Sequence, residues 1–149
     1  PDDHELLNAA AALSDTGRSV SLYRRPEHAL YLLAIADLTG FMQKEALLIA
    51  EVIAAQTGQR VDVGQYDPLV TEDERTRAGR LGMVLGLARW LRRSGVEAST
   101  PVSILLAAGS LIIILPPGVP VVADEWYEGL VRACRRHFDR DLRVTHLGD

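Results

Sequence analysis

The sequence predicts an α+β protein, with a mainly helical body of four or more helices followed by a small β-β-α-β unit carrying an antiparallel or mixed sheet. Three observations lead there. Apolar residues recur at helical spacing through roughly the first 95 residues; after Gly95 the chain changes to short runs rich in β-branched residues; and turn residues and a proline cluster punctuate those runs. The predicted division is 1–95 for the helical part and 96–149 for the smaller unit packed on it, with no internal repeat or low-complexity stretch.

The elements follow in order. Leu6, Leu7, Ala10, Ala11 and Leu13 share a helical face, so a first helix is expected over about 3–15, stopping at Gly17. Pro26 suits the first turn of a second helix, whose apolar face is Leu30, Leu33, Ala34 and Leu38, up to a turn at Thr39 and Gly40. A third helix over about 42–56 carries Ala46, Leu47, Ile49, Ala50 and Ile53, is apolar enough to be nearly buried, and ends at Gly58. Residues 61–70 hold Gly64, Asp67 and Pro68 without a sustained period and read as a loop. Thr71 followed by Glu74 is a capping box that opens a long fourth helix through Arg93, with Leu81, Val84, Leu85, Ala88 and Leu91 expected inward. Gly82 and Gly86, four apart, either admit a close neighbouring helix or are a tolerated pair. Residues 102–107 and 111–115 read as a hairpin joined by Ala108, Gly109 and Ser110. After the break at 116–120, a helix over about 124–138 has Trp126, Leu130, Val131 and Cys134 on one side. Leu142, Val144 and Leu147 mark a last strand.

Composition narrows the function classes. At 149 residues, 48% hydrophobic and 24% charged, the chain suits one domain with a proper core, or one domain with a small appended unit, and is unlike a disordered segment. A formal net charge of -4 argues against a generally basic, nucleic-acid-coating surface, so a polyanion site has to be a local arginine cluster. The single cysteine, Cys134, permits no internal disulfide, fits a reducing, cytoplasmic setting, and reads as a packed small residue. The longest apolar stretch, 102–115, is too short and too broken by Ser103, Gly109 and Ser110 to span a bilayer, and no secretion leader is seen. The sequence opens at Pro1 rather than methionine, which suggests a fragment or a trimmed chain and leaves room for a separate catalytic domain upstream.

Five segments then follow one another: LLNAAAALSDTGR at 6–18, HALYLL at 28–33, DLTGF at 37–41, KEALLIA at 44–50 and LARWLRRSG at 87–95. In sequence and spacing the set resembles the C-terminal HD-like helical domain of the exopolyphosphatase / guanosine pentaphosphate phosphohydrolase (Ppx/GppA) family, and the closing β-β-α-β unit is similar to the tail that follows there. The resemblance implies His-Asp where this chain has Ser14 and Asp15, a histidine near Gln56, and an aspartate at the position of Arg89. The family's first metal-type histidine falls upstream, and His4 stands too close to Asp15 to replace it. A guanidinium at position 89 repels a divalent cation instead of coordinating it. Ser14, Asp15 and Arg89 therefore read as a degenerate metal site, with no metal or other cofactor expected. The resemblance also assigns catalysis to two actin-like domains N-terminal to the helical one, whose phosphate-binding loops do not appear here. To the helical domain it assigns a part in the polyphosphate groove and in dimer contacts.

Dense phosphate anions are best held by arginine forks and backbone amides. The candidates are Arg18 in the family's Gly-Arg turn, Arg24, Arg25 and His28 after it, and Arg89 and Arg93 on the fourth helix. If the helices pack as the resemblance implies, Arg18, His28, Arg89 and Arg93 converge on the vacated metal pocket. Two plainer readings stand beside this one: Arg89 paired with Asp15 as an ion pair in place of the metal, and His28 as a satisfied helix-start residue. Arg135, Arg136, His137, Arg140 and Arg143 interleave with Asp139 and Asp141 and read as a solvated face. Ser14 has no recognisable histidine to activate it, and Trp90, Trp126 and the four tyrosines are too scattered for a nucleic-acid stacking platform. The expected function is that of an accessory domain without catalytic residues, supporting polyphosphate binding and homodimerisation beside upstream catalytic domains, with no nucleic-acid or membrane partner. The alternatives are a residual HD-type metal-dependent phosphohydrolase centred on Asp15, and a purely structural dimerisation module.

Overall fold

A computed structural model describes residues 2–14, 40–58 and 68–148. The helix expected from Pro26 and most of the loop expected at 61–70 lie outside the described residues. Those described form α1 (Asp3–Leu13), α2 (Gln43–Ala55), α3 (Glu72–Arg93), β1 (Ser103–Ala107), β2 (Ser110–Leu115), α4 (Glu125–Phe138) and β3 (Asp141–His146). This is the α+β arrangement that the sequence predicts, with a mixed sheet.

Each of the first three helices opens with a glutamate that reaches back to its cap. Glu5 accepts from the Asp2 amide at 3.0 Å, Glu45 from the Met42 amide at 2.8 Å and Glu74 from the Thr71 amide at 2.9 Å, each satisfying an amide at the helix start. α4 starts instead on Asp124, whose Oδ1 accepts from the Tyr127 amide at 3.0 Å. Its C-cap, Asp139, adopts a left-handed φ of 52° that bends the chain directly into β3.

α2 is nearly buried, as its composition predicts: Ala46 through Ala50 and Val52 through Ala55 are all covered. Of the face expected on α1 only Leu6 and Ala10 are buried, and Ala11 is exposed. α3 departs further. Val84 and Ala88, expected inward, face solvent, while Met83, Leu87 and Trp90 are buried. The reason is that α3 packs on two partners at once. Ala78 and Leu85 join Leu6, Leu47, Ile49 and Ile53 in one apolar cluster, and Met83, Leu87 and Trp90 join Leu111, Ile113, Leu115, Leu130 and Cys134 in a second. A single amphipathic stripe does not describe such a helix.

The glycine pair of α3 proves to be a site of close approach. A Cβ on Gly82 would collide with Ala55, and one on Gly86 with the carbonyl of Gln56 and with Leu130. A Cβ on Gly129 of α4 would lie 2.6 Å from the Thr57 carbonyl. The end of α2 is thus wedged between α3 and α4, and bare backbone is what makes room for it.

β1 and β2 form an antiparallel hairpin in which Ala107 pairs with Ser110 across a two-residue turn at Ala108 and Gly109 (φ +74°). Ser110 therefore belongs to the strand and not to the turn. β3 then pairs parallel to β2, with α4 as the crossover, giving the order β1-β2-β3. β3 ends at His146; Leu147, expected in it, is exposed, although its amide donates to Leu115 at 2.9 Å. Leu111, Ile113 and Leu115 of β2 and Leu142 of β3 face α4 in the second cluster. Cys134 is fully buried there as a core residue, and burial pushes its thiol pKa up, away from nucleophilic use.

Candidate functional site

Where the last three turns of α3 pass the end of α1 and the start of α4, a cleft of about 820 Å³ opens to solvent. Arg89, Arg92 and Arg93 supply its charge, Ala11 and Ser14 its α1 side, and Leu85 and Trp126 its apolar floor. Arg92 and Arg93 end α3 where its C-terminal carbonyls favour cations, so the local fold itself supports a basic residue there.

Arg89 is tethered inward. Its Nη1 donates to Gln56 Oε1 at 3.2 Å, and its Cζ lies 5.9 Å from the centroid of the Trp126 ring. Gln56 is buried and sits in the α2 wedge. Gln56, near which the resemblance implies a histidine, and Arg89, where it implies an aspartate, thus meet directly as an amide and a guanidinium. Arg93 also approaches the indole, its Cζ 5.4 Å from the centroid, with Nη2 2.8 Å from Asp124 Oδ2. Asp124 thereby caps α4 and neutralises part of the cleft at the same time. That pair is half exposed, so its worth is small. Arg92 makes no ion pair among the described residues. The indole is held in turn by Nε1 donating to the Gly86 carbonyl at 3.1 Å.

Ser14 Oγ donates to the Ala11 carbonyl at 2.8 Å, a helix-end bond that commits its proton to the backbone. Among the described residues no group of three or more His, Cys, Asp or Glu is placed to hold a metal ion. Of the residues expected to form the site, Ser14, Arg89 and Arg93 share this cleft, while Asp15, Arg18, Arg24, Arg25 and His28 lie outside the described residues, and with them the expected Asp15–Arg89 pair. Arg92, Trp126 and Gln56 were not among the expected site residues. The Arg-Arg ending of α3 is a signal for the first and the family's histidine near Gln56 a signal for that position; nothing local signals Trp126, whose bond partner lies 40 residues away.

The second basic cluster is locally occupied. Arg135 pairs with Asp141 at 2.7 Å, Arg136 donates to the Gly58 carbonyl and Arg140 to the Ala107 carbonyl. No helix among the described residues is long and apolar enough to cross a membrane.

Fold and cleft together define a helical α+β domain whose basic rim is built at the junction of three helices. Residues 1–116 match the family described as Ppx/GppA phosphatase, domain III, and the chain belongs to that family. The match takes in the described helical body and the hairpin, and ends just after β2. A relative, the guanosine-5'-triphosphate,3'-diphosphate pyrophosphatase of Photobacterium profundum, is 30% identical over 117 residues. The aligned part is 78% of this chain and 23% of that protein, so the chain spans about a quarter of its relative's length.

Proposed function

We propose that this chain is the accessory C-terminal domain of an exopolyphosphatase-like phosphatase of the cytoplasm. It supports polyphosphate binding and self-association, while catalysis takes place in actin-like domains elsewhere in the parent protein. The observation that carries the reading is the arginine row of α3, with Arg89, Arg92 and Arg93 around one open cleft. A linear polyanion needs several guanidinium forks in line and no deep enclosure. Arg18, Arg24, Arg25 and His28 extend the row on this proposal, and Ser14, Asp15 and Arg89 are the remnant of a metal site. Parts 1–95 and 96–149 act as one piece, because α3 lies in both apolar clusters.

The test is a titration with long-chain polyphosphate at low and raised salt. Binding that weakens with salt is expected, with a loss of about tenfold, ~1.4 kcal/mol, on replacing Arg92 and Arg93 by alanine. No binding at low salt, or an unchanged affinity in that variant, removes the ligand role. A second reading, a purely structural module, is favoured by the bonds that Arg89 and Arg93 already make to Gln56 and Asp124. It predicts that the same variant loses stability and no affinity.

A further inference from the structure

The three arginines of the cleft are held in three different ways. Arg89 is tied to the buried amide of Gln56, and Arg92, exposed at the end of α3, makes no ion pair among the described residues. Arg93 lies between them in character and stands between two clefts in space. On one side is the basic cleft, to which Arg89 and Arg92 bring two guanidinium groups and the described residues bring no carboxylate. On the other side a second cleft is lined by three carboxylates, Asp124, Glu125 and Glu128, against one further guanidinium, Arg132. Arg132 itself lies 3.9 Å from Glu128, so the acidic side keeps a net negative charge once Arg93 is left out of the count.

The Arg93 guanidinium is committed to that acidic side. Its Nη2 donates to Asp124 Oδ2 at 2.8 Å. Asp124 spends its other oxygen, Oδ1, on the Tyr127 amide at 3.0 Å, so releasing Arg93 leaves the cap of α4 in place. The side chains of the pair are 52% and 31% accessible, which makes it a weak contact that water already reaches and a ligand can exchange. The Trp126 ring lines both clefts and lies 5.4 Å from Arg93 Cζ, an aromatic surface across which a guanidinium moves while keeping part of its attraction.

We infer that Asp124 is a built-in competitor for the anion of the basic cleft. In the empty cleft its carboxylate occupies Arg93. A phosphate chain seated on Arg92 and Arg89 takes Arg93 over by exchanging one charge-assisted N–H···O bond for another, and the guanidinium turns from the acidic cleft to the basic one. Asp124 is tethered beside Arg93, so a lone ion in solution competes against a high local concentration of carboxylate and loses. An anion already gripped by the neighbouring arginines is tethered as well, and for it the exchange is favourable. Asp124 thus acts as a threshold that reserves Arg93 for a multivalent ligand. The inference rests on the reading of the cleft as a phosphate-chain site and adds to it the residue that opposes binding.

A thermodynamic cycle tests it. Long-chain polyphosphate is titrated at low salt into the 149-residue chain, Asp124→Asn, Arg93→Ala and the double variant. Asparagine keeps an oxygen for the Tyr127 amide and caps a helix as well as aspartate does. Asp124→Asn is expected to bind about two- to fivefold tighter than wild type at unchanged helical circular dichroism, and Arg93→Ala to bind more weakly. Most of the gain should vanish when Asp124→Asn is made in the Arg93→Ala background, because the carboxylate acts through Arg93. Asp124→Ser, which also caps without a charge, should repeat the result and replaces the asparagine variant if that one folds poorly. Glu125→Gln removes a charge from the same acidic cleft at a residue that does not hold Arg93, and should change affinity little. A full gain in the Arg93→Ala background, or an equal gain in Glu125→Gln, makes Asp124 a mere through-space charge and overturns the exchange. Binding by the wild type with no gain in either Asp124 variant overturns the competitor while the phosphate-chain reading stands. No binding by any of the proteins removes that reading and the competitor with it.

Discussion

Around α1, α2 and the first half of α3 the interior is filled by alanines and medium aliphatics, among them Ala10, Ala50, Ala78, Leu47 and Ile53, and at Gly82 α3 comes almost backbone to backbone with α2. Around the second half of α3, α4 and the sheet it is filled by Trp90, Met83, Leu130 and the alternating leucine and isoleucine of β2. Small side chains let helices close on one another. A helix lying on a sheet stands farther off, and only large side chains fill that gap. The comparison teaches that one chain has solved two packing problems around a single shared rod, α3, and that among the described residues only β2 of the sheet is paired on both sides.

The most severe way to test this pairing is Trp90→Ala. Trp90 is fully buried, lies 5.4 Å from the Tyr127 ring and donates to the Val122 carbonyl at 2.8 Å, so it fixes the connection into α4 as well as filling the core. A loss of about 3–5 kcal/mol is expected in chemical denaturation. Amide exchange decides the comparison, since a shared rod predicts that α2 and β2 lose protection together. Protection kept in α2 and lost in β2 breaks the two interiors into separate units.

Gly86→Ala probes the wedge that joins them. The added methyl meets the Gln56 carbonyl and Leu130, so a loss of about 1–3 kcal/mol is expected although alanine is the better helix former. A variant as stable as the wild type contradicts the wedge. Because Gln56 also receives Arg89, the same change should weaken polyphosphate binding in proportion to how far the wedge moves.

The smallest effect sharpens the helical side alone. Lys44, 2.7 Å from Glu74, together with the Thr71 amide, lowers the Glu74 carboxyl from its ordinary 4.5 to about 2. A depressed pKa means that this contribution is complete above 4.5 and is lost as pH falls towards 2. Glu74→Gln should therefore remove part of the acid sensitivity of thermal stability in that window, with no change near neutral pH beyond the lost clamp. An identical acid profile in the variant denies the clamp any role.

Much of this was legible in the residues, and the gaps follow a pattern. Helix starts and the hairpin are local events, written in Thr71 with Glu74, in Asp124, and in β-rich runs flanking Ala108 and Gly109. Which face of α3 is buried is not local. Val84 and Ala88 fit a one-sided stripe and lost to Met83, Leu87 and Trp90 because a second partner, α4, lies at a different angle around the helix. The cleft divides the same way: Arg93, Arg89 and the position of Gln56 are readable from the helix end and the family frame, whereas the Gln56–Arg89 bond and the arrival of Trp126 depend on how α2, α3 and α4 pack. The parallel placement of β3 likewise depends on where α4 returns the chain, not on the composition of the strand.

The length of α3 has a mechanical meaning. Its 22 residues span about 33 Å, with the Lys44–Glu74 tie at one end and the guanidinium row at the other. A tilt of about 5° around the middle of such a lever moves each tip by roughly 1.4 Å, enough to lengthen a hydrogen bond past usefulness. Whatever grips the amino end of this beam therefore sets the aim of the arginines at its tail.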